Sequence, residues 1–333
     1  MNLARQLLLC SLLRASAVAP TVDQLGVGIN LGNTLEATTE GAGTGGFWNS
    51  TLFDAYLAAG FKSVRVPVRW GTHMDATGTI DPVWLARVDE IVSYGVSIGL
   101  KVIVNTHGDR WIDLASEADF EALLPRFTSL WAQVAARFGT RFENSLIFEV
   151  FNEPHNMSTA SLNRLNAAVV PVLRQASQTR GVMLGGGGWM SVWWLRGGGE
   201  DAFNWAPTNT TDPNLMLEIH DYSPMNVTTP SGAGFPVASW GSARQVAALR
   251  ADMNWMGSFR ARHPGLTVVL GEFACSRLQP NATARALWYA TITRSAQQAG
   301  LAPILWDDNG WFRTLDRATM SWDDAVLHAV QLK

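Results

Sequence analysis

The stretch LIFEVFN, residues 146–152, is apolar almost without a break and runs into Asn152, Glu153 and Pro154. An unbroken apolar run of this length suits a strand buried on both faces, as in a parallel sheet; a half-exposed strand would alternate. Seven more such runs occur, at 27–31, 63–68, 101–105, 181–184, 215–219, 267–270 and 303–306. Segments of helical period lie between them. Leu85, Val88, Ile91 and Val92 repeat at that spacing, as do Phe127, Leu130, Trp131 and Val134, and Val246, Leu249, Met253 and Met256. Eight buried strands separated by helices predict an α/β protein, a single (β/α)8 barrel over 20–333. The length, 333 residues, suits one such domain. A doubly wound open sheet is the alternative, but the glycine-rich turn of a dinucleotide fold is missing after the first run.

Composition narrows the function classes. Lys and Arg number 25 against 28 Asp and Glu, a formal charge of −3, so no basic stripe for nucleic acid is expected. The two cysteines, Cys10 and Cys275, supply neither a disulfide framework nor a cysteine zinc site, and Cys275 follows an apolar strand as a buried thiol would. Residues 1–19 read as a secretory leader, with Arg5 ahead of the apolar run 7–13 and small residues after it. No later segment is long and apolar enough for a membrane-spanning helix. Sequons at Asn49, Asn156, Asn209, Asn226 and Asn281 fit a secreted glycoprotein, if the source is eukaryotic. The expectation is a secreted monomer.

Polar and aromatic residues gather where the runs end. They are Asn30, Asn33 and Glu36; Arg65 and Arg69; Asn105, His107 and Asp109; Asn152 and Glu153; Trp189; His220 and Tyr222; Glu272; and Trp306 with Asp307, Asp308 and Asn309. In a barrel, loops after strands build one face, so these side chains converge on one cleft. Long insertions at 38–46, 185–213 and 224–239 also follow strands. Glu153 and Glu272 end the fourth and seventh runs and are expected to meet over the mouth. Paired carboxylates are the machinery of glycoside hydrolysis, one protonating the leaving oxygen and the other attacking the anomeric carbon. The 15 tryptophans agree, because sugar rings stack on flat indoles.

Other residues read more plainly. Glu149, inside its run, is expected to form a structural salt bridge, and His73 and His155 to be ordinary loop residues. The four glycines at 185–188 suit a flexible turn, since no Lys-Ser/Thr follows for a phosphate. His107, Asp109 and His220 lack the spacing of a known metal motif, so neither metal nor cofactor is expected.

In sum the chain resembles glycoside hydrolase family 5, the cellulase family, over about residues 24–330. GVGINLGNTLEA at 26–37, FKSVRVPVRW at 61–70, KVIVNTHGD at 101–109, LIFEVFNEPH at 146–155, EIHDY at 218–222, LGEFA at 270–274 and ILWDDNG at 304–310 follow the family's order. The resemblance implies a retaining double displacement with Glu153 as acid/base and Glu272 as nucleophile. Arg65 and Tyr222 would hold Glu272. Asn152 would bind the sugar 2-hydroxyl, and His107 and His220 would hold the sugar and tune the acid. Trp306 would floor the glycone subsite, and Asn33 and Glu36 would reach an outer one. Many relatives carry a second histidine where Gly108 stands, which would leave that subsite slightly open.

The NLGNTLEA opening favours an endo-acting β-1,4-glucanase on cellulose-type or mixed-linkage glucan, with mannanase or xyloglucanase as the alternative within the family. Without a carbohydrate-binding module or Ser/Pro linker in the chain, accessible glucans are expected over crystalline fibre. A catalytically inactive polysaccharide-binding barrel is disfavoured by intact Glu153, Glu272, Arg65 and Tyr222. A phosphate-metabolite enzyme is disfavoured by the acidic segment 304–310.

Overall fold

Eight parallel strands close on themselves in chain order: β1 (Gly28–Asn30), β2 (Ser63–Val66), β3 (Lys101–Asn105), β4 (Leu146–Glu149), β5 (Val182–Gly185), β6 (Leu215–His220), β7 (Thr267–Glu272) and β8 (Ala302–Leu305). β1 and β8 pair, Gly28 with Ile304 and Ile29 with Leu305, so the sheet has no edge. This is the (β/α)8 barrel expected from the apolar runs, and it rules out the open doubly wound sheet. The computed structural model describes residues 19–203, 212–229, 240–279 and 281–331. Residues 1–18 of the leader-like segment, Asn209 and most of the 224–239 insertion lie outside them.

The strands are flanked by α1 (Ser50–Ala58), α2 (Pro82–Ser97), α3 (Glu117–Phe138), α4 (Thr159–Ala176), α5 (Ala243–Arg262), α6 (Ala282–Gln298) and α7 (Asp324–Gln331). Their starts are written locally. Asn49, Ser116, Ser158 and Asn281 cap α1, α3, α4 and α6 with side-chain oxygens, and Ser242 and Gln245 form a capping box on α5. The apolar stripes named from periodicity face inward: Val88, Ile91 and Val92, Leu130, Trp131 and Val134, and Leu249, Met253 and Met256 are all buried.

The inside of the barrel has two kinds of layer. Near the strand starts, Ile103, Ile147, Met183, Met216, Val269 and Ile304 pack with Leu25, an apolar plug. Two residues further along, the same inward positions carry Arg65 on β2, Asn105 on β3, Glu149 on β4 and Glu218 on β6, all fully buried. Apolar packing carries the lower half of the barrel and holds a polar layer directly beneath its open face.

Candidate active site

Arg65 is the centre of that polar layer. Its Nε and Nη2 donate to Glu149 at 2.6 and 2.7 Å, a bidentate fork. Nη1 donates to Glu272 Oε1 at 2.7 Å and to Asn30 Oδ1 at 2.8 Å, and Nη2 also reaches Asn152 Oδ1 at 2.6 Å. Burial opposes the charge on Arg65, but Glu149, Glu218 and Glu272 outweigh it and raise its pKa well above the ordinary value. Glu149 is the structural ion-pair partner expected from its place inside the run. Burial works against its charge too, yet Arg65 holds its pKa below the usual value.

Glu272 is 4 % exposed and accepts at both oxygens, from Arg65 at Oε1 and from the Tyr222 hydroxyl at Oε2, 2.8 Å away. Both oxygens of Glu272 are thus fixed by donors, one a cation and the other a phenol. Glu153 stands differently. Its side chain is 27 % exposed, its backbone sits in the left-handed region at φ 49°, and its Oε1 lies 2.9 Å from His220 Nδ1. A non-glycine residue held there carries strain of the kind found at functional sites. One oxygen of Glu153, one of Glu272 and a nitrogen of His220 lie within 4.8 Å of one another. The two carboxylates therefore face each other, with one pair of their oxygens no more than 4.8 Å apart.

His220 links this pair to a group the sequence reading passed over. Its Nε2 lies 3.2 Å from Glu218 Oε1, which also lies 3.2 Å from Arg65 Nε. Burial opposes charge on His220, but the charge of Glu272, the hydrogen bonds to Glu153 and Glu218 and the charge of Glu218 raise its pKa to about 10. Burial, then the charge of Glu149, pushes Glu218 up to about 7. Gly271 makes room for this carboxylate, since a Cβ there would fall 1.7 Å from Glu218 Oε1. A metal ion at Glu153, His220 and Glu272 would have to break the His220 pairings, because both ring nitrogens already face carboxylates.

Two hollows of about 610 and 520 Å³ meet at His107, Glu153 and Trp306, forming one trough. Asn33, Glu36, Arg69 and Asn152 line the first, on the side of the loops after β1, β2 and β3; Trp189, Trp193, Tyr222 and Glu272 line the second. Trp306 is 8 % exposed, lines both hollows and stacks on His107, ring centres 5.8 Å apart at 14°. Burial, and next the charge of Arg65, pushes His107 down to about 3, leaving a neutral imidazole.

Asn33 and Glu36 reach the trough wall, yet both oxygens of Glu36 accept backbone N–H groups of its own loop, from Asn33 and Thr34. His155 is more than a loop residue, for it stacks on Trp189 at 4.7 Å and its Nδ1 lies 2.6 Å from the Glu153 carbonyl. His73 likewise stacks, on Trp84. The 185–188 glycines are packed. Cβ atoms at Gly186, Gly187 and Gly188 would fall 2.5, 3.1 and 2.7 Å from the Trp194 indole, so their bareness seats that ring. Gly108 lines the first hollow, and the Arg69 guanidinium lies beside it, 2.8 Å from where a Cβ would stand. Cys275 is fully buried, and burial pushes its thiol up to about 12.

A (β/α)8 barrel with two facing carboxylates in an aromatic-lined trough defines a glycosidase-type site. The chain belongs to the cellulase family, glycosyl hydrolase family 5, whose model matches residues 33–310. Endoglucanase H of Acetivibrio thermocellus is 33 % identical over 323 residues, 93 % of this chain. Endoglucanase A of Clostridium longisporum is 28 % identical over 90 % of it. The chain spans a third of the length of the first relative and about three fifths of the second, at 33 % and 62 %. Among solved structures, Thermotoga maritima Cel5A with cellobiose superposes with a TM-score of 0.83 at 26 % identity, covering 92 % of this chain and 98 % of that one. The same protein with mannotriose gives 0.82 at 26 %, covering 92 % and 97 %.

Proposed function

We propose that the protein is an endo-acting β-1,4-glucanase that cleaves with retention of anomeric configuration. The facing Glu153 and Glu272 carry this reading, with oxygens within 4.8 Å in unlike surroundings. Glu272, fixed by Arg65 and Tyr222, attacks the anomeric carbon. Glu153 gives its proton to the departing glycosidic oxygen as that bond breaks, leaving a glycosyl ester on Glu272. Glu153 then takes a proton from water, whose oxygen displaces the ester. Asn152 accepts from Arg65 through Oδ1, which leaves its amide N–H groups to donate to a sugar hydroxyl. Trp306 offers its indole face to a ring. Neutral His107 stands beside Trp306 as a donor or acceptor for hydroxyls. Because the trough continues on both sides of Glu153, a chain can bind along its middle, which supports endo action.

The named activities of the relatives favour glucan, and the mannotriose complex of Cel5A supports a second reading, β-mannan. We further propose that the enzyme works outside the cell as a monomer, since its polymer substrate is met there and residues 1–19 read as a leader. The test is a reducing-sugar assay on carboxymethyl cellulose, lichenan, xyloglucan and mannan, with NMR of the first-formed anomer. Glucan hydrolysis releasing the β-anomer is expected, and its loss in Glu153→Gln and Glu272→Gln with the fold intact. Release of the α-anomer, or near-normal turnover in either variant, would overturn the reading.

A further inference from the structure

In the half of the trough built by the loops after β1, β2 and β3, the carboxylates are occupied. Glu36 accepts from Asn33 and Thr34; Asp109 accepts from the N–H groups of Trp70, Gly71 and the Trp111 indole; Asp113 accepts from the loop at His155 and Asn156. Arg69 is the contrast. Its backbone N–H is tied to Leu35 O at 3.0 Å and its Nε to Glu36 O at 2.8 Å, which fixes the side chain at both ends of its stem. Among the described residues no hydrogen-bond partner takes Nη1 or Nη2, and the residue lines the 610 Å³ hollow together with Glu153 and Trp306.

Gly108 makes that position possible. It lies at φ +72°, and a Cβ on it would come 2.8 Å from Arg69 Nη2 and 3.1 Å from Cζ. Any larger residue at 108 would push the guanidinium away. An arginine carries only donors, so a guanidinium held through Nε beside the Asp109 carboxylate, whose two terminal nitrogens have no hydrogen-bond partner among the described residues, asks for oxygen acceptors at those nitrogens. On the reading above, the oxygens that enter this hollow are the hydroxyls of a glucan ring stacked near Trp306.

We propose that Arg69 is a substrate-binding residue: its terminal nitrogens, seated over Gly108, donate to hydroxyl groups of the sugar in the β1–β3 half of the trough. The inference rests on the glucanase reading, and Arg69 grips the same chain that Glu153 and Glu272 cut. Gly108 acts only through Arg69 and is a positioning residue.

The experiment compares Arg69→Met, Arg69→Lys, Gly108→Ala and the double variant Arg69→Met/Gly108→Ala on soluble mixed-linkage glucan. It also measures cellopentaose affinity by calorimetry with each change placed on Glu272→Gln. Loss of a hydrogen bond from a charged donor predicts a fall of about 10- to 100-fold in kcat/KM for Arg69→Met, carried mainly by KM. Arg69→Lys keeps a charge without the fork and is expected between wild type and Arg69→Met. Gly108→Ala should reproduce the Arg69→Met loss, and the double variant should be no worse than either single one. The affinity for cellopentaose should fall in parallel, with the melting temperature of Arg69→Met unchanged. Wild-type kcat/KM and affinity in Arg69→Met would overturn the proposal, as would losses that multiply in the double variant. Failure of the wild-type enzyme to cut any glucan would instead reject the glucanase reading.

Discussion

Replacing Glu218 by glutamine tests whether the proton on the acid/base is held by Glu153 alone or by a chain of three groups. Glu218, His220 and Glu153 stand in line, with ring nitrogens 3.2 and 2.9 Å from the two carboxylates. Groups that interact this closely titrate together. Glutamine keeps an oxygen for the His220 Nε2–H, so the ring stays oriented while the negative charge behind it is removed. A hydrogen bond to a charged partner contributes about 1.5–3 kcal/mol and to a neutral one about 0.5–1.5, a difference near one pKa unit. His220, now at about 10, should therefore bind its proton less tightly, and the alkaline limb of the kcat/KM profile should move toward acid by about one unit. Stability follows the same sign. His220 lies above its ordinary 6.5 when folded, so its contribution is complete below about pH 6.5 and is lost as pH rises through about 10. Melting temperature against pH should show that alkaline loss beginning earlier in the variant. An alkaline limb that does not move, in a variant that melts normally at neutral pH, would refute the shared-proton chain.

Two further outcomes are expected. Arg65→Met strands three buried carboxylates, Glu149, Glu218 and Glu272, and breaking buried pairs of this kind costs about 3–5 kcal/mol. Calorimetry should show melting lowered by up to about 10 °C, with hydrolysis abolished. Gly186→Ala places a methyl 2.5 Å from the Trp194 ring, and overpacking should cost about 1–3 kcal/mol. Denaturant unfolding checks it, and a wild-type midpoint would mean that the glycine row is slack.

Much of the architecture was legible because parallel strands buried on both faces must be apolar along their length. Every expected run overlaps a strand; β5 runs on to Gly185, β8 begins one residue early at Ala302, and β6 and β7 extend to include His220 and Glu272, which the sequence placed just past the ends. The candidate carboxylates were legible for the same reason: a charged residue closing an apolar run has to face a cavity or a partner. Glu218 escaped because it sits inside LMLEIH, where one charge reads as an interruption of the run. Its parity held the signal, since Glu218 and His220 are two apart and so share the inward face. The Arg69–Gly108 contact left no such trace. It joins residues 39 positions apart through the absence of a side chain, and only coordinates distinguish a glycine that opens a subsite from one that seats a guanidinium.

The polar layer also explains why that parity matters. Buried ion pairs seldom stabilise a fold relative to well-packed apolar residues of the same size. The inward row below it shows the apolar solution in place, with Ile103, Ile147, Met183 and Met216 filling the same barrel one step down. Arg65, Glu149, Glu218 and His220 are thus set where apolar side chains would pack with less desolvation. What they gain is a fixed arrangement of charge under Glu153 and Glu272: a cation bound to one carboxylate and an imidazolium bridging to the other. The layer makes the two glutamates unlike before substrate arrives, one bound by donors at both oxygens and the other tied to a ring that can share its proton, and a double displacement needs that difference.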